Sequence, residues 1–252
     1  MNKTTLFTVI AIIVTGGIIT ATSLYVINRQ GTPQPTKPPT VYNTQIVDSK
    51  TSQVEGANTE RLPSPLPAGR VQLADTGNAA IGTENLKLLM VEFTDYQCPI
   101  CADFHNKYFD QIKKEYIVTG KMRYVIKDFP LFAHENAKPA ALYTQCVHDV
   151  DGTDNFFKYI KFLFANQGEW SESIAPAEYF SVLAKELKLN QSAIDTCFVN
   201  KASEANVIAD RVEGDSLGVN GTPIFFVNGR VLVGSPPTYD DLKKILEEEL
   251  TE

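Results

Sequence analysis

The sequence predicts an α/β domain in which a sheet is interrupted by a long helical excursion, set behind an apolar amino-terminal segment and a polar linker. Three observations carry that expectation. Two mostly apolar, strand-length runs, "LKLLMVEF" (Leu86–Phe93) and "MRYVIKDF" (Met122–Phe129), flank a stretch with helical spacing. About 90 residues of helical character follow. The chain then returns to strand pattern in "PIFFV" and "RVLVG", on either side of Asn228-Gly229, the strongest short signal for a two-residue hairpin turn.

The elements follow in chain order. Leu6 to Ile27 has no charged residue across its 22 positions, enough for a helix to cross a hydrocarbon layer roughly 30 Å thick. The apolar run continues past the small residue Ala21, which favours an uncleaved anchor over a removable signal peptide. Lys3 before the span argues for an amino terminus inside, a bias that Arg29 dilutes. The expected arrangement is a single-pass anchor in residues 1–30, with the rest outside the cytoplasm, where disulfides persist. Residues 31–70 are rich in Pro, Thr, Ser and Gln without apolar periodicity and read as a flexible tether. A globular domain is expected over 71–252, its helical insertion at about 132–217.

Within that domain the first strand should lie in the middle of a sheet with both faces covered. From Pro99 to about Tyr116, apolar Phe104, Tyr108, Ile112 and Tyr116 recur every four residues and mark one face of a helix that Gly120 stops. Pro130 ends the second strand. "ENAKPAALYTQCVHDV", "DNFFKYIKFLFA", "APAEYFSVLAKEL" and a stretch from Asn190 to about Asp215 supply the insertion, and "TYDDLKKILEEEL" closes the chain as a helix. There is no internal repeat.

Hydrophobic residues at 43% and charged residues at 21% describe an ordinary globular protein. A net charge of -7 gives no general attraction to nucleic acid or to an anionic membrane surface. The four cysteines fall into a close pair, Cys98 and Cys101, and a distant pair, Cys146 and Cys197. Zinc normally takes four ligands, often as two close pairs, and the distant pair lies in helical patterns. A purely structural disulfide across Cys98-Pro-Ile-Cys101 would strain a helix start. Redox chemistry fits better. A sulfur at a helix amino end faces unsatisfied N–H groups and the positive end of the helix dipole, which favour thiolate over thiol. Cys98 is therefore expected to be the exposed, substrate-facing nucleophile. Cys101, one turn on and facing inward, would be its resolving partner. Pro99 suits the first helical turn, where its missing N–H costs nothing. The chemistry needs no cofactor and no metal.

"VEFTDYQCPIC", "YVIKDFPLF", "SLGVNGTPIFFVNG" and "VLVGSPPTYDDLKKIL" occur in an order and at separations that resemble the membrane-anchored and secreted thiol oxidoreductases of the DsbA family, over roughly residues 75 to 250. The resemblance implies a thioredoxin-like fold with an all-helical insertion. It implies an extracytoplasmic thiol-disulfide oxidoreductase that oxidises cysteine-containing exported polypeptides and is reset by a membrane-embedded thiol oxidase of DsbB-like or VKOR-like type. A disulfide reductase or isomerase, or a redox-inactive peptide-binding module, would use the same scaffold. Strongly oxidising members carry His where this chain has Ile100, which cannot add charge or a hydrogen bond to the thiolate.

Glu92, inside the first strand, would on composition alone reach the sheet edge. The resemblance instead places it beneath the active site, as a carboxylate of raised pKa exchanging a proton with Cys101. The resemblance also makes the Thr222-Pro223 bond cis and sets Thr222 beside the cysteines with backbone free to pair with an extended substrate; from sequence alone a trans turn would be the default. For Cys146 and Cys197, an oxidising compartment and an even count favour a structural disulfide over two buried thiols. His105, His134 and His148 form no ligand spacing and are expected at the surface. Trp170 follows "NQG" in an apparent loop and is expected to pack within the insertion.

Overall fold

The computed structural model describes residues 66–73, 79–84 and 87–252. The expected anchor, Leu6–Ile27, and the tether up to residue 65 lie outside the described residues. Among the described residues no helix is long and apolar enough to cross a membrane.

Strand β2 (Leu88–Thr94) lies at the centre of a five-stranded sheet, buried along nearly its whole length. It runs parallel to β3 (Met122–Asp128) on one side. On its other side it pairs antiparallel with β4 (Ile224–Val227), whose hairpin partner is β5 (Arg230–Val233). A three-residue strand, β1 (Ala79–Ile81), adds antiparallel to β3 and completes the order β1-β3-β2-β4-β5. No pattern in the sequence announces β1, because three residues are too few to show alternation.

Strand alternation then sorts the side chains. Leu88, Met90, Tyr124, Ile126, Phe225 and Val227 enter the larger core, and Val91, Phe93, Val125, Ile224 and Phe226 the smaller one on the opposite face. Glu92 shares the two-residue period of Leu88 and Met90 and is fully buried in the middle of the sheet rather than at its edge. The hairpin turn uses Asn228 and Gly229 at φ 47° and 82°, the left-handed pair that a two-residue turn requires. The Asn228 side chain reinforces it, accepting from Leu89 N and donating to Lys87 O.

The helix after β2 departs from a regular α-helix. α1 (Pro99–Phe104) is followed by a π-helical turn (His105–Phe109), a short α2 (Asp110–Ile112) and a second π-helical turn (Lys113–Ile117). An α-helix turns about 100° per residue, so a four-residue spacing drifts about 40° at each step. The wider π turns absorb that drift. Phe104, Tyr108, Ile112 and Tyr116 therefore all stay buried. The strict four-residue period was the signal of π turns, where the pattern suggested plain helix.

The helical insertion occupies α3 (Ala137–Ala165), α4 (Gln167–Trp170), α5 (Pro176–Glu186), α6 (Gln191–Val199) and α7 (Glu204–Ser216). α3 bends at Gly152, at φ 80°, between the two stretches that the sequence separates. The single stretch expected from Asn190 to Asp215 is instead two helices. Lys201 takes φ 52°, and the N–H groups of Lys201 and Ala202 bond to the carbonyls of Phe198 and Cys197, a Schellman cap that ends α6 without glycine. Trp170 belongs to α4 rather than a loop; it is fully buried edge-to-face on Phe180, with its indole N–H on Leu163 O.

α7 covers the smaller core. Gly214 permits the approach, since a Cβ there would stand 2.6 Å from the Phe129 ring. The last helix, α8 (Tyr239–Thr251), opens with a Thr238–Asp241 capping box and places Leu242 and Leu246 in the larger core. The fold reaches back beyond the boundary expected at 71. Leu66 packs on the smaller core, and Arg70 pairs with Glu249 and Glu252 at the end of the chain. One leucine among prolines carries no periodicity, so composition hid it.

Candidate active site

The site forms where β2 ends and α1 begins. Cys98 caps α1 in extended conformation (φ -69°, ψ 122°), its N–H bonded to Asp95 O and its carbonyl accepting from Ala102 N; Pro99 fills the first turn. Asp95 holds this turn in place. One of its oxygens accepts from Gln97 N at 2.7 Å, the other from Leu131 N and His134 Nδ1, both at 2.8 Å. The insertion is stitched to the same turn by amides. Gln167 Nε2 donates to the carbonyls of Tyr96 and Cys98, Gln97 Nε2 to Ser171 O, and Asn136 N to Gln97 Oε1.

Across from the helix start, the Thr222-Pro223 bond is cis and the Cys98 thiol donates to Thr222 O at 3.4 Å. Cys98 and Cys101 are both thiols. Cys101 is fully buried, and Cys98 is only 4% exposed. The expectation of an exposed Cys98 thus needs correction. The Thr222 segment and the amide-held turn close over the sulfur, while the neighbouring Ile100 is 51% exposed.

The two thiols have opposite acidities. The Cys98 pKa falls from 9.0 to about 6, chiefly because the Cys101 thiol donates to it, helped by Thr222 and by the backbone N–H groups of Cys101 and Ile100; partial burial opposes the fall. The Thr222 hydroxyl has no oxygen or nitrogen partner of its own. Burial drives the Cys101 pKa well up, and the charges of Cys98 and Glu92 add to it. Such a pair has one sulfur that leaves readily as thiolate and one that takes up a proton. Near pH 6, alkylation of the reduced protein should therefore label Cys98 at least tenfold faster than Cys101, since half of one thiol and almost none of the other is ionised. Peptide mapping after a short iodoacetamide pulse reads this, and equal labelling would remove the distinction between the two sulfurs.

Beneath the pair, Glu92 Oε2 accepts from Tyr124 OH and lies 2.9 Å from His105 Nε2, while Glu92 Oε1 has no partner. His105 is buried, stacked on Phe164 of α3 at 4.4 Å, and its expected surface position was wrong. The ring lies four residues past Cys101 on the same helix face, a spacing that could have drawn attention to it. His134 is part-buried on Asp95, and His148 is part-buried against Phe156. Tyr124 and Asp95 also escaped sequence reasoning, as their partners come from other elements. Among the described residues no three His, Cys, Asp or Glu side chains converge as metal ligands. Away from the site, Cys146 in α3 and Cys197 in α6 are joined by a disulfide with Cα atoms 5.7 Å apart.

An acidic, helix-capping thiol paired with a buried one beside a cis-proline loop, on this sheet, defines a thiol-disulfide oxidoreductase. A family model described as thioredoxin matches residues 74–248. Disulfide bond formation protein D of Bacillus subtilis is 26% identical over 179 residues, 69% of this chain and 78% of that protein. Five rickettsial relatives with protein-disulfide oxidoreductase in their names are 24–27% identical, and the matches span 56–68% of their length. Among solved structures, oxidised BdbD of Bacillus subtilis superposes with a TM-score of 0.66 at 24% identity, over 73% of this chain and 98% of that one. Wolbachia pipientis alpha-DsbA1 gives 0.63 at 23% identity, over 71% and 94%. The chain belongs to the thioredoxin family, and its fold, a thioredoxin-like sheet with a helical insertion, is that of the BdbD and alpha-DsbA1 structures.

Proposed function

We propose that this protein oxidises cysteine pairs in exported polypeptides with its Cys98-Pro-Ile-Cys101 disulfide, on the outer side of a membrane to which residues 1–30 tether it. The observation that carries the reading is the placing of Cys98 at the helix start with its thiol on Thr222 O, and of Cys101 fully buried one turn on, which makes the first acidic and the second proton-holding. A client thiolate attacks Cys98 Sγ of the oxidised enzyme. The Cys98–Cys101 bond breaks, Cys101 takes a proton, and a mixed disulfide forms. A second client thiolate then attacks the client sulfur and expels Cys98 as thiolate, a good leaving group at its lowered pKa. Thr222 and its carbonyl, beside Cys98, would receive an extended client backbone. A membrane-embedded thiol oxidase, DsbB-like or VKOR-like, would then remove the two electrons from the dithiol.

Direction is read from the reduction potential. With Ile100 in the dipeptide, the pair should titrate between thioredoxin and the strongest oxidants, roughly −150 to −230 mV. Replacing Ile100 with His should raise the potential by about 30 mV and lower the Cys98 pKa together, since 1.4 kcal/mol of extra thiolate stabilisation moves both. Glutathione-buffered titration of the two proteins tests this. A wild-type potential near that of thioredoxin would favour a reductase, and an unchanged Ile100→His variant would show that the dipeptide does not set the poise. For the tether, the full chain should stay in the membrane fraction through alkaline extraction, and its release would defeat the anchor.

A further inference from the structure

The mechanism above leaves one buried group unused. His105 touches Glu92, and it lines a small cavity of about 60 Å³ bounded also by Phe109, Asp110, Phe157, Ile160, Lys161 and Ala165. That volume has room for a water, which needs only about 10–15 Å³ measured this way. The cavity rim faces solvent: its lining residues Asp110 and Lys161 pair with side chains 70% and 55% exposed. From the inside, the Tyr124 hydroxyl and His105 both engage Glu92 Oε2, leaving Oε1 as the carboxylate oxygen without a partner.

We infer that His105 is a positioning residue that passes protons between the water-accessible cavity and Glu92, and through Glu92 Oε1 to Cys101. The inference rests on the thiol-disulfide exchange proposed above and adds the route by which its proton enters and leaves. When a client thiolate opens the Cys98–Cys101 bond, the electron pair of that bond goes to Cys101 Sγ. Glu92 delivers a proton there, His105 returns one to Glu92, and cavity water returns one to His105. During reoxidation the same proton runs outward. The ionisable groups around the His105–Glu92 pair come from every side: Tyr124 on β3, Cys101 on α1, Tyr96 beyond them, and Asp110 and Lys161 at the rim.

His105→Gln separates transfer from packing, because glutamine still donates to Glu92 but carries no exchangeable charge. The oxidised full chain would be reduced by dithiothreitol between pH 5 and 8, with the Cys98 pKa measured separately from thiolate absorbance. The expected result is a rate about tenfold lower near neutral pH, the low end of general acid catalysis. An inflection present in wild type should vanish and the Cys98 pKa stay in place. Superimposable pH profiles would overturn the relay, and so would a rate loss matched by an equal shift of the Cys98 pKa. If the variant fails to fold, Ala165→Leu decides: it leaves His105 and Glu92 intact while narrowing the cavity, and should slow the same step, whereas a wild-type rate would overturn the relay. A wild-type protein inert to dithiothreitol would instead defeat the oxidoreductase reading itself.

Discussion

Replacing Cys146 and Cys197 together with Ser is expected to cost about 4 kcal/mol of folding stability, roughly a thousandfold in the folded-to-unfolded ratio. The bridge joins positions 51 residues apart, and in the chain-entropy model a loop of that length removes about 4 kcal/mol of freedom from the unfolded chain. The native state adds a reason to expect the full loss. Ser203 Oγ lies 3.5 Å from Cys146 and 3.3 Å from Cys197 and donates to Asp149, so the bridge fixes the junction at which α6 ends and α7 turns back to the sheet. Urea denaturation of the active-site-oxidised protein and of the double variant measures the difference. A change below about 1 kcal/mol would mean that the helices hold their places without it.

The second large effect depends on pH and on redox state. The reduced protein should gain stability over the oxidised one as pH rises from 5 to 9, by up to about 4 kcal/mol, since each pKa unit is worth about 1.36 kcal/mol. The Cys98 pKa falls from 9.0 to about 6 on folding. A lowered acid pKa contributes stability that is complete above the unfolded value and lost as pH falls through the folded one. The oxidised protein has no thiol there and lacks the contribution. Cys101 shifts upward, so its opposing effect begins only above pH 9. Asp128, raised to about 8 by burial and by Asp210, is present in both forms and cancels in the difference. Paired denaturation curves at five pH values test this, and a flat difference would mean that folding does not acidify Cys98.

The sheet and the cysteine pair were legible in the sequence because their signals are local. The apolar run to Thr94, the Asn228-Gly229 turn and Pro99 at a helix start each depend on residues within a few positions of one another. What stayed hidden is held by contacts between elements. Glu92 alone could not reveal that it meets Tyr124 from the neighbouring strand and His105 from the helix above. The exposure of Cys98 was misjudged for the same reason, as Thr222 and Gln167 come from 124 and 69 residues away. The break between α6 and α7 was missed because Lys201, with a bulky side chain, occupies a left-handed position usually marked by glycine.

The amides of Gln97, Asn136 and Gln167 fasten the cysteine turn to the insertion from several directions. The two halves of the enzyme cannot part at the site without breaking those bonds together, so the mouth around Cys98 keeps one shape. All adjustment in the encounter falls to the client. In the exchange proposed above, a client cysteine flush with a folded surface would have poor access to a sulfur this buried, whereas a loose chain would bring its cysteine in on an extended segment. Under the oxidation of exported chains proposed above, such a site would act as a timer, confining the reaction to the interval before the client has folded.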